Sequence, residues 1–219
     1  MNYFVTGTDT HVGKTLISCA LLHGFAAQGK SVVGMKPVAA GCNNDGQNED
    51  VVQLRAASNV EVSNELTNPF CFLPAIAPHL AAQQAGIEIQ LPRILDAYQK
   101  LAAQAEVIIV EGVGGLCVPL NAQQDSADML KALGLPIILV VGIRLGCLNH
   151  ALLTVEAINA RGLTLAAWVA NIIDENMPHL EENIAALQQR IAAPLLGIVP
   201  FLPNVDARVA SSKLALDRL

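Results

Sequence analysis

Positions 7 to 15 read Gly-Thr-Asp-Thr-His-Val-Gly-Lys-Thr. The run joins a short apolar segment, residues 3–6, to a helical pattern that begins at Lys14. A strand, a glycine-bearing turn and a helix N-terminus carrying Gly-Lys-Thr form a cradle for a polyphosphate. Successive backbone N–H groups wrap the phosphate oxygens, and the helix dipole favours their charge. In such a loop Lys14 reaches the β- and γ-phosphates and the Thr15 hydroxyl binds Mg²⁺. The usual spacing between the two glycines would put the first at position 8. Thr8 stands there and Gly7 lies one place earlier, so the loop is a longer variant.

A metal-bound phosphate also needs oxygen ligands from a second side. Val107-Ile108-Ile109-Val110-Glu111 is an apolar run ending in a carboxylate, the pattern of a buried parallel strand with an acid at its C-terminal tip. Gly112-Val113-Gly114-Gly115 follows and lets backbone approach a ligand closely. Asp50, in the run Asn48-Glu49-Asp50, offers a third oxygen, although a solvated loop explains that run equally well. Lys36 follows the largely apolar run 31–35 and precedes Pro37. A lysine at such a strand tip, beside the phosphate loop of the neighbouring strand, stabilises charge on a transferring phosphoryl group. An ordinary sheet-edge lysine fits the same spacing. Further on, Gly142-Ile143-Arg144-Leu145-Gly146-Cys147-Leu148-Asn149-His150 leads from an apolar run into a helix, whose first N–H groups could hold a carboxylate. No base pairs with Cys147 in sequence, so it reads as a small buried filler, and His150 as a first-turn helix residue.

These residues need a scaffold. Short apolar runs at 3–6, 31–38, 107–110, 137–141, 165–170 and 195–199 predict strands buried on both faces. Helical patterns at 14–28, 91–103, 127–133, 150–160 and 180–191 alternate with them. This order predicts an α/β fold, a mainly parallel sheet with helices on both faces, in one domain over residues 1–219. Residues 39–92 read as an insertion of short helices and loops near the site. Of the 219 residues 53% are hydrophobic and 15% charged, against about 25% charged in ordinary chains, so some weakly charged surface should be covered, most simply by a second subunit. The net charge of −6 and the lack of a basic stretch argue against nucleic acid as a partner. The longest apolar stretches, 132–143 and the proline-broken 191–203, are too short to span a membrane. The first residues lack a signal-peptide pattern. The five cysteines are scattered with no Cys-x-x-Cys, so neither a disulfide framework nor a zinc site is expected, and a reducing cytoplasm is.

Taken in order, six blocks carry a family resemblance. They are Phe4-Val5-Thr6-Gly7-Thr8-Asp9-Thr10 with Val12-Gly13-Lys14-Thr15, then Lys36-Pro37-Val38-Ala39, then Val110-Glu111-Gly112. The others are Leu145-Gly146-Cys147-Leu148-Asn149-His150, Trp168-Val169-Ala170-Asn171 and Ala193-Pro194-Leu195-Leu196-Gly197. Over essentially its whole length the chain resembles the dethiobiotin synthetases, ATP-dependent enzymes of biotin biosynthesis, and the longer phosphate loop is part of that pattern. The resemblance implies a homodimeric P-loop NTPase-like fold that closes the ureido ring from 7,8-diaminononanoate, CO₂ and MgATP through a carbamate and a carbamic–phosphoric anhydride. It implies Lys14 and Lys36 as catalytic residues and Thr15, Asp50 and Glu111 as Mg²⁺ ligands. Nucleotide contacts are implied for Thr10, His11, Val12, Gly13, Lys14, Thr15 and Leu16. They are also implied for Asp50, Glu111, Gly112, Val113 and Gly114, for Asn171 and Ile172 at the adenine edge, and for Pro200, Phe201 and Leu202 over the base. The substrate side is implied to use Lys36, Ala40 and the partner subunit's helix start, Gly146, Cys147, Leu148 and Asn149. Three positions depart from the family pattern: His11 where Glu is frequent, Ala40 where Ser is, and Arg144 where Lys is. Two other readings compete. Corrinoid-type amide synthases carry an added glutaminase domain that 219 residues do not hold. Deviant-loop ATPase switches of the partitioning type carry an extra lysine early in the loop, and Gly7 to His11 contains none.

Overall fold

The computed structural model describes residues 1–201 and 206–219. In chain order the elements are β1 (Asn2–Gly7), α1 (Lys14–Ala27), β2 (Val32–Met35), β3 (Val38–Ala40), α2 (Glu49–Ala57) and α3 (Asn64–Thr67). There follow β4 (Phe70–Phe72), α4 (Pro78–Gln84), α5 (Leu91–Ala102), β5 (Val107–Glu111), α6 (Ser126–Leu133) and β6 (Ile137–Ile143). Next come α7 (Cys147–Ala160), β7 (Leu165–Ile172), α8 (Leu180–Arg190), β8 (Leu195–Val199) and α9 (Ala207–Ser211).

Six strands form one sheet in the order β2-β5-β1-β6-β7-β8, and every pairing in it is parallel. Strand β5 shows why its sequence is apolar throughout. Ile108 and Val110 enter the core beneath α5 and α6, whereas Val107 and Ile109 enter the core shared with α1 and α2. Alternate side chains thus meet different helix layers, and neither face tolerates a polar residue until Glu111 at the tip. A third core packs β6 and β7 against α7 and α8, with Trp168 fully buried.

Several expectations are corrected. The run 31–38 is two strands: Pro37 interrupts it, and β3 leaves the main sheet to pair in parallel with β4. This second, two-stranded sheet lies in the segment that the sequence assigned to helices and loops alone. Strand β2 borders β5 and not β1, so Lys36 is two strands away from the phosphate loop. Cys42 and Cys71 form a disulfide with Cα atoms 6.4 Å apart, against the expectation of free thiols. Pairing of β3 with β4 brings together cysteines 29 positions apart, which spacing alone does not reveal. With this pair bonded, cysteine usage no longer speaks for a reducing compartment. Helix α7 also starts earlier than predicted, at Cys147.

Candidate active site

The order β2-β5-β1 sets three strand tips side by side. Val5 pairs with Glu111, and Met35 pairs with Val110. The loop after β1, Glu111 after β5 and Lys36 after β2 therefore meet at the C-terminal edge of the sheet. Asp50 arrives from outside it. Asn48 caps α2 by accepting the Asp50 N–H at 3.1 Å, while its own amide donates to Ala40 O at 3.2 Å. The acidic run is thus a helix start, with Glu49 and Asp50 in the first turn, where the dipole favours them.

A cavity of about 700 Å³ holds Lys14, Thr15, Lys36, Asp50 and Glu111. The Thr15 hydroxyl lies 2.8 Å from Asp50 Oδ1 and 3.0 Å from Glu111 Oε1. The Lys36 ammonium donates to Glu111 Oε1 at 2.7 Å and also to Asp50 Oδ2. A single ammonium thus fills the gap between two carboxylates. Glu111 is fully buried, and its Oε2 has no hydrogen-bond partner among the described residues. Burial by itself lowers the Lys36 pKa, but the two carboxylates outweigh it and the net shift is upward. Asp50 is pushed up by burial and pulled down further by Lys36 and by the Thr15 hydrogen bond, so it stays below the usual range. Lys14 lacks such a carboxylate contact: burial lowers it to about 8, with Glu111 opposing and Lys36 adding to the fall. Its ammonium rests on the Asp9 main-chain oxygen at 2.9 Å.

Gly13 caps α1 in the left-handed region, with φ 91°. A Cβ there would come within 2.2 Å of Asn171 Nδ2, so glycine is required both by conformation and by close approach. Asn171 is buried and donates Nδ2 to Val12 O at 2.8 Å. One amide hydrogen is thereby used, which leaves Oδ1 and the second N–H for a base edge. A second cleft of about 290 Å³ joins Asn171 and Ile172 to His11, Gly13, Thr15, Leu16, Pro200 and Phe201. Leu202 lies outside the described residues. Thr10, His11, Ala40, Val113 and Gly114 line the larger cavity. Gly112 is not among its lining residues, and a Cβ on it would press to 3.0 Å against the Phe4 ring, so glycine fits the packing there.

The proposed carboxylate site stands apart. None of Gly146, Cys147, Leu148 and Asn149 lines either cavity of this chain. Cys147 is buried and its N–H already bonds Arg144 O at 3.0 Å. Among the described residues no hydrogen bond takes up the N–H of Leu148 or Asn149. Sequence reasoning missed Ala75, Ile76, Ala77, Pro78 and Val118, which give the larger cavity an apolar wall, and Gln53 in the second cleft. The proline-marked segment 68–78 was the one available signal.

The chain is 57% identical over 217 residues to the ATP-dependent dethiobiotin synthetase BioD of Nitrosospira multiformis, a match that spans 99% of this chain and 96% of that one. The chain belongs to the dethiobiotin synthetase family. A dethiobiotin synthetase of Aromatoleum aromaticum is 55% identical over 214 residues, spanning 96% of this chain and 95% of that one. The profile described as "AAA domain" matches residues 1–209. Among solved structures, the septum site-determining protein MinD of Pyrococcus horikoshii, complexed with Mg-ADP, superposes with a TM-score of 0.56 at 16% identity, covering 100% of this chain and 89% of that one. At that identity the likeness speaks for the P-loop fold alone. His11, the first departure from the dethiobiotin synthetase pattern, is a non-glycine residue at φ 59°. The Ala40 departure puts a methyl group, with no hydroxyl, on the cavity wall.

Proposed function

We propose that the protein is an ATP-dependent dethiobiotin synthetase: it closes the ureido ring of dethiobiotin from 7,8-diaminononanoate and CO₂, releasing ADP and phosphate. The single observation that carries this reading is the convergence of Lys14, Lys36, Thr15, Asp50 and Glu111 in one cavity beside a phosphate loop. In this reading a substrate amine combines with CO₂ to give a carbamate. A carbamate oxygen attacks the γ-phosphorus and ADP leaves. The second amine then attacks the carbamoyl carbon and gives up a proton, and the phosphate leaves with its bonding electrons as the ring closes. Attack of one anion on another demands charge neutralisation more than covalent help. Lys14 and Lys36, which line the same cavity, would supply it.

We assign Thr15, Asp50 and Glu111 as the Mg²⁺ ligands. Three hard oxygens lie together there, one carboxylate oxygen is unpartnered, and an ammonium already sits in the cation's place. The described residues hold no group of three His, Cys, Asp or Glu side chains suited to a metal. Mg²⁺, when bound, neutralises charge on the β- and γ-phosphates. The chain's part is to release Lys36 from the two carboxylates, freeing its ammonium for the carbamate.

The test is a stoichiometric assay. Diaminononanoate with bicarbonate and MgATP is expected to yield dethiobiotin and ADP in equal amounts. ATP turnover that ignores the diamine and responds to DNA or lipid would instead favour a partitioning-type switch.

The same reading covers residues 1–219 as one domain acting as a homodimer. Its support is the Gly146 to Asn149 helix start, which lines neither cavity of its own chain, and the exposed Leu145 (87%) and Leu153 nearby. None of the helices among the described residues is long and apolar enough to cross a membrane. Mixed dimers test the shared site. Asn149→Asp places a negative charge among the free N–H groups and repels a carboxylate while favouring the helix. Lys14→Ala chains mixed with Asn149→Asp chains should regain about a quarter of wild-type activity, because half the dimers then hold one intact composite site. If heterodimers form and activity stays at the level of the parents, the site lies within one subunit.

A further inference from the structure

Arg144 lies at the turn between β6 and α7, lines neither cavity and has no role in the chemistry above. Its Nη2 donates to Asp9 Oδ2 at 2.7 Å, which ties that turn to the phosphate loop 135 positions earlier. Asp9 is held at three atoms. Oδ1 accepts the Thr10 N–H at 2.7 Å, Oδ2 accepts from Arg144, and the main-chain oxygen accepts from the Lys14 ammonium at 2.9 Å. The packing around that oxygen is close: a Cβ on Gly7 would fall 3.1 Å from Asp9 O and 3.1 Å from Lys14 Cγ.

The Arg144–Asp9 pair is half-exposed on both sides, and an ion pair of that kind adds little to fold stability. What the guanidinium does supply is direction. Its Nη2 bond orients one carboxylate oxygen, and the carboxylate, through its bond to the Thr10 N–H, fixes the Asp9 peptide. We propose that Arg144 is a positioning residue for nucleotide binding: by holding Asp9 it sets the carbonyl that stations Lys14 at the phosphate loop before the nucleotide arrives. This rests on the reading of Lys14 as a phosphate ligand.

The consequence is a split between KM and kcat. Without Arg144 the Asp9 peptide is free to turn, and Lys14 loses its station in the empty loop. Once MgATP is bound, the phosphates themselves hold Lys14. Arg144→Ala should therefore raise KM for MgATP, and the dissociation constant of MgADP, about fivefold, as expected when one charge-assisted hydrogen bond is removed at a half-exposed site. Its kcat at saturating MgATP should stay within about twofold of wild type. Arg144→Lys keeps a donor and should recover most of the affinity. Asp9→Asn keeps an acceptor for the Thr10 N–H but loses the charge, so it should match Arg144→Ala, and the double variant should be no weaker than either single one. Unchanged KM in Arg144→Ala overturns the proposal, as do fully additive effects in the double variant or failure of Arg144→Lys to rescue. A wild-type protein that binds no MgADP would overturn the nucleotide reading itself, and that is a distinguishable result.

Discussion

Replacing Lys14 with alanine is expected to cut ring closure by at least about a thousandfold at saturating MgATP, the scale of losing one preorganised charge at a developing anion. Fold and subunit assembly should persist. Lys14 is buried at the first position of α1, and among the described residues its ammonium hydrogen-bonds one partner, a carbonyl oxygen of its own loop. Losing it strands no buried partner charge, so the cost falls on phosphate binding and not on the fold. The lowered pKa gives a second signature. Burial brings Lys14 to about 8 against the pull of Glu111, and a neutral amine contributes no charge to the γ-phosphate. Because kcat/KM reports ionisation in the free enzyme, kcat/KM for MgATP should fall as pH rises through about 8. Near-wild-type turnover in the alanine variant would remove Lys14 from the catalytic set.

Lys36→Met is expected to damage both activity and stability, and the two effects should respond differently to a divalent cation. Lys36 is 5% exposed and neutralises both a fully buried Glu111 and a partly exposed Asp50. Removing one partner of a buried ion pair leaves uncompensated charge and costs about 3 kcal/mol or more. For a chain of this length that corresponds to a fall in Tm of roughly 6–12 °C. The fall should be seen in a chelator. Saturating Mg²⁺ should return most of it, because a cation between Thr15, Asp50 and Glu111 replaces the missing ammonium and stabilises by binding only the folded state. In the wild-type protein, where Lys36 competes for the same oxygens, the Mg²⁺ shift should be smaller. Turnover should stay at least about a hundredfold down even in Mg²⁺, since the charge on the carbamate side is gone. Equal Mg²⁺ shifts in variant and wild type would mean that the cation does not bind where Lys36 sits.

Much of this was legible in the residues themselves. The phosphate loop announces itself because strand, glycine turn and Gly-Lys-Thr are contiguous, so local backbone geometry alone shapes the cradle. Strand β5 was readable because burial on both faces leaves a continuous apolar run with one acid at its end. Asp50 and Lys36 were not readable on the same terms. An acidic run could equally be a solvated loop, and a lysine before a proline could equally sit at a sheet edge. Their roles rest on the resemblance; the strand order adds that Lys36 meets Glu111 and Asp50 at one edge of the sheet.

The tertiary structure decided what contiguity cannot. The order β2-β5-β1 inserted β5 beside β2, which is why Lys36 meets Glu111 directly. Residues 36, 50 and 111 converge because of pairings between segments that share no local pattern, and hydrophobic periodicity carries no information about which buried strand lies next to which. The same limit hid the second sheet, the Cys42–Cys71 bond and the Arg144–Asp9 ion pair. Each joins residues 29 or more positions apart, and each depends on packing that a one-dimensional pattern does not encode. The sequence by itself determined the chemistry available to this protein: a phosphate cradle, a carboxylate at a strand tip, an acidic run and two lysines. Only the folded sheet decided that one ammonium would stand between two of those carboxylates while the other rested on its own loop, because charge pairing depends on distance in space and not on distance along the chain.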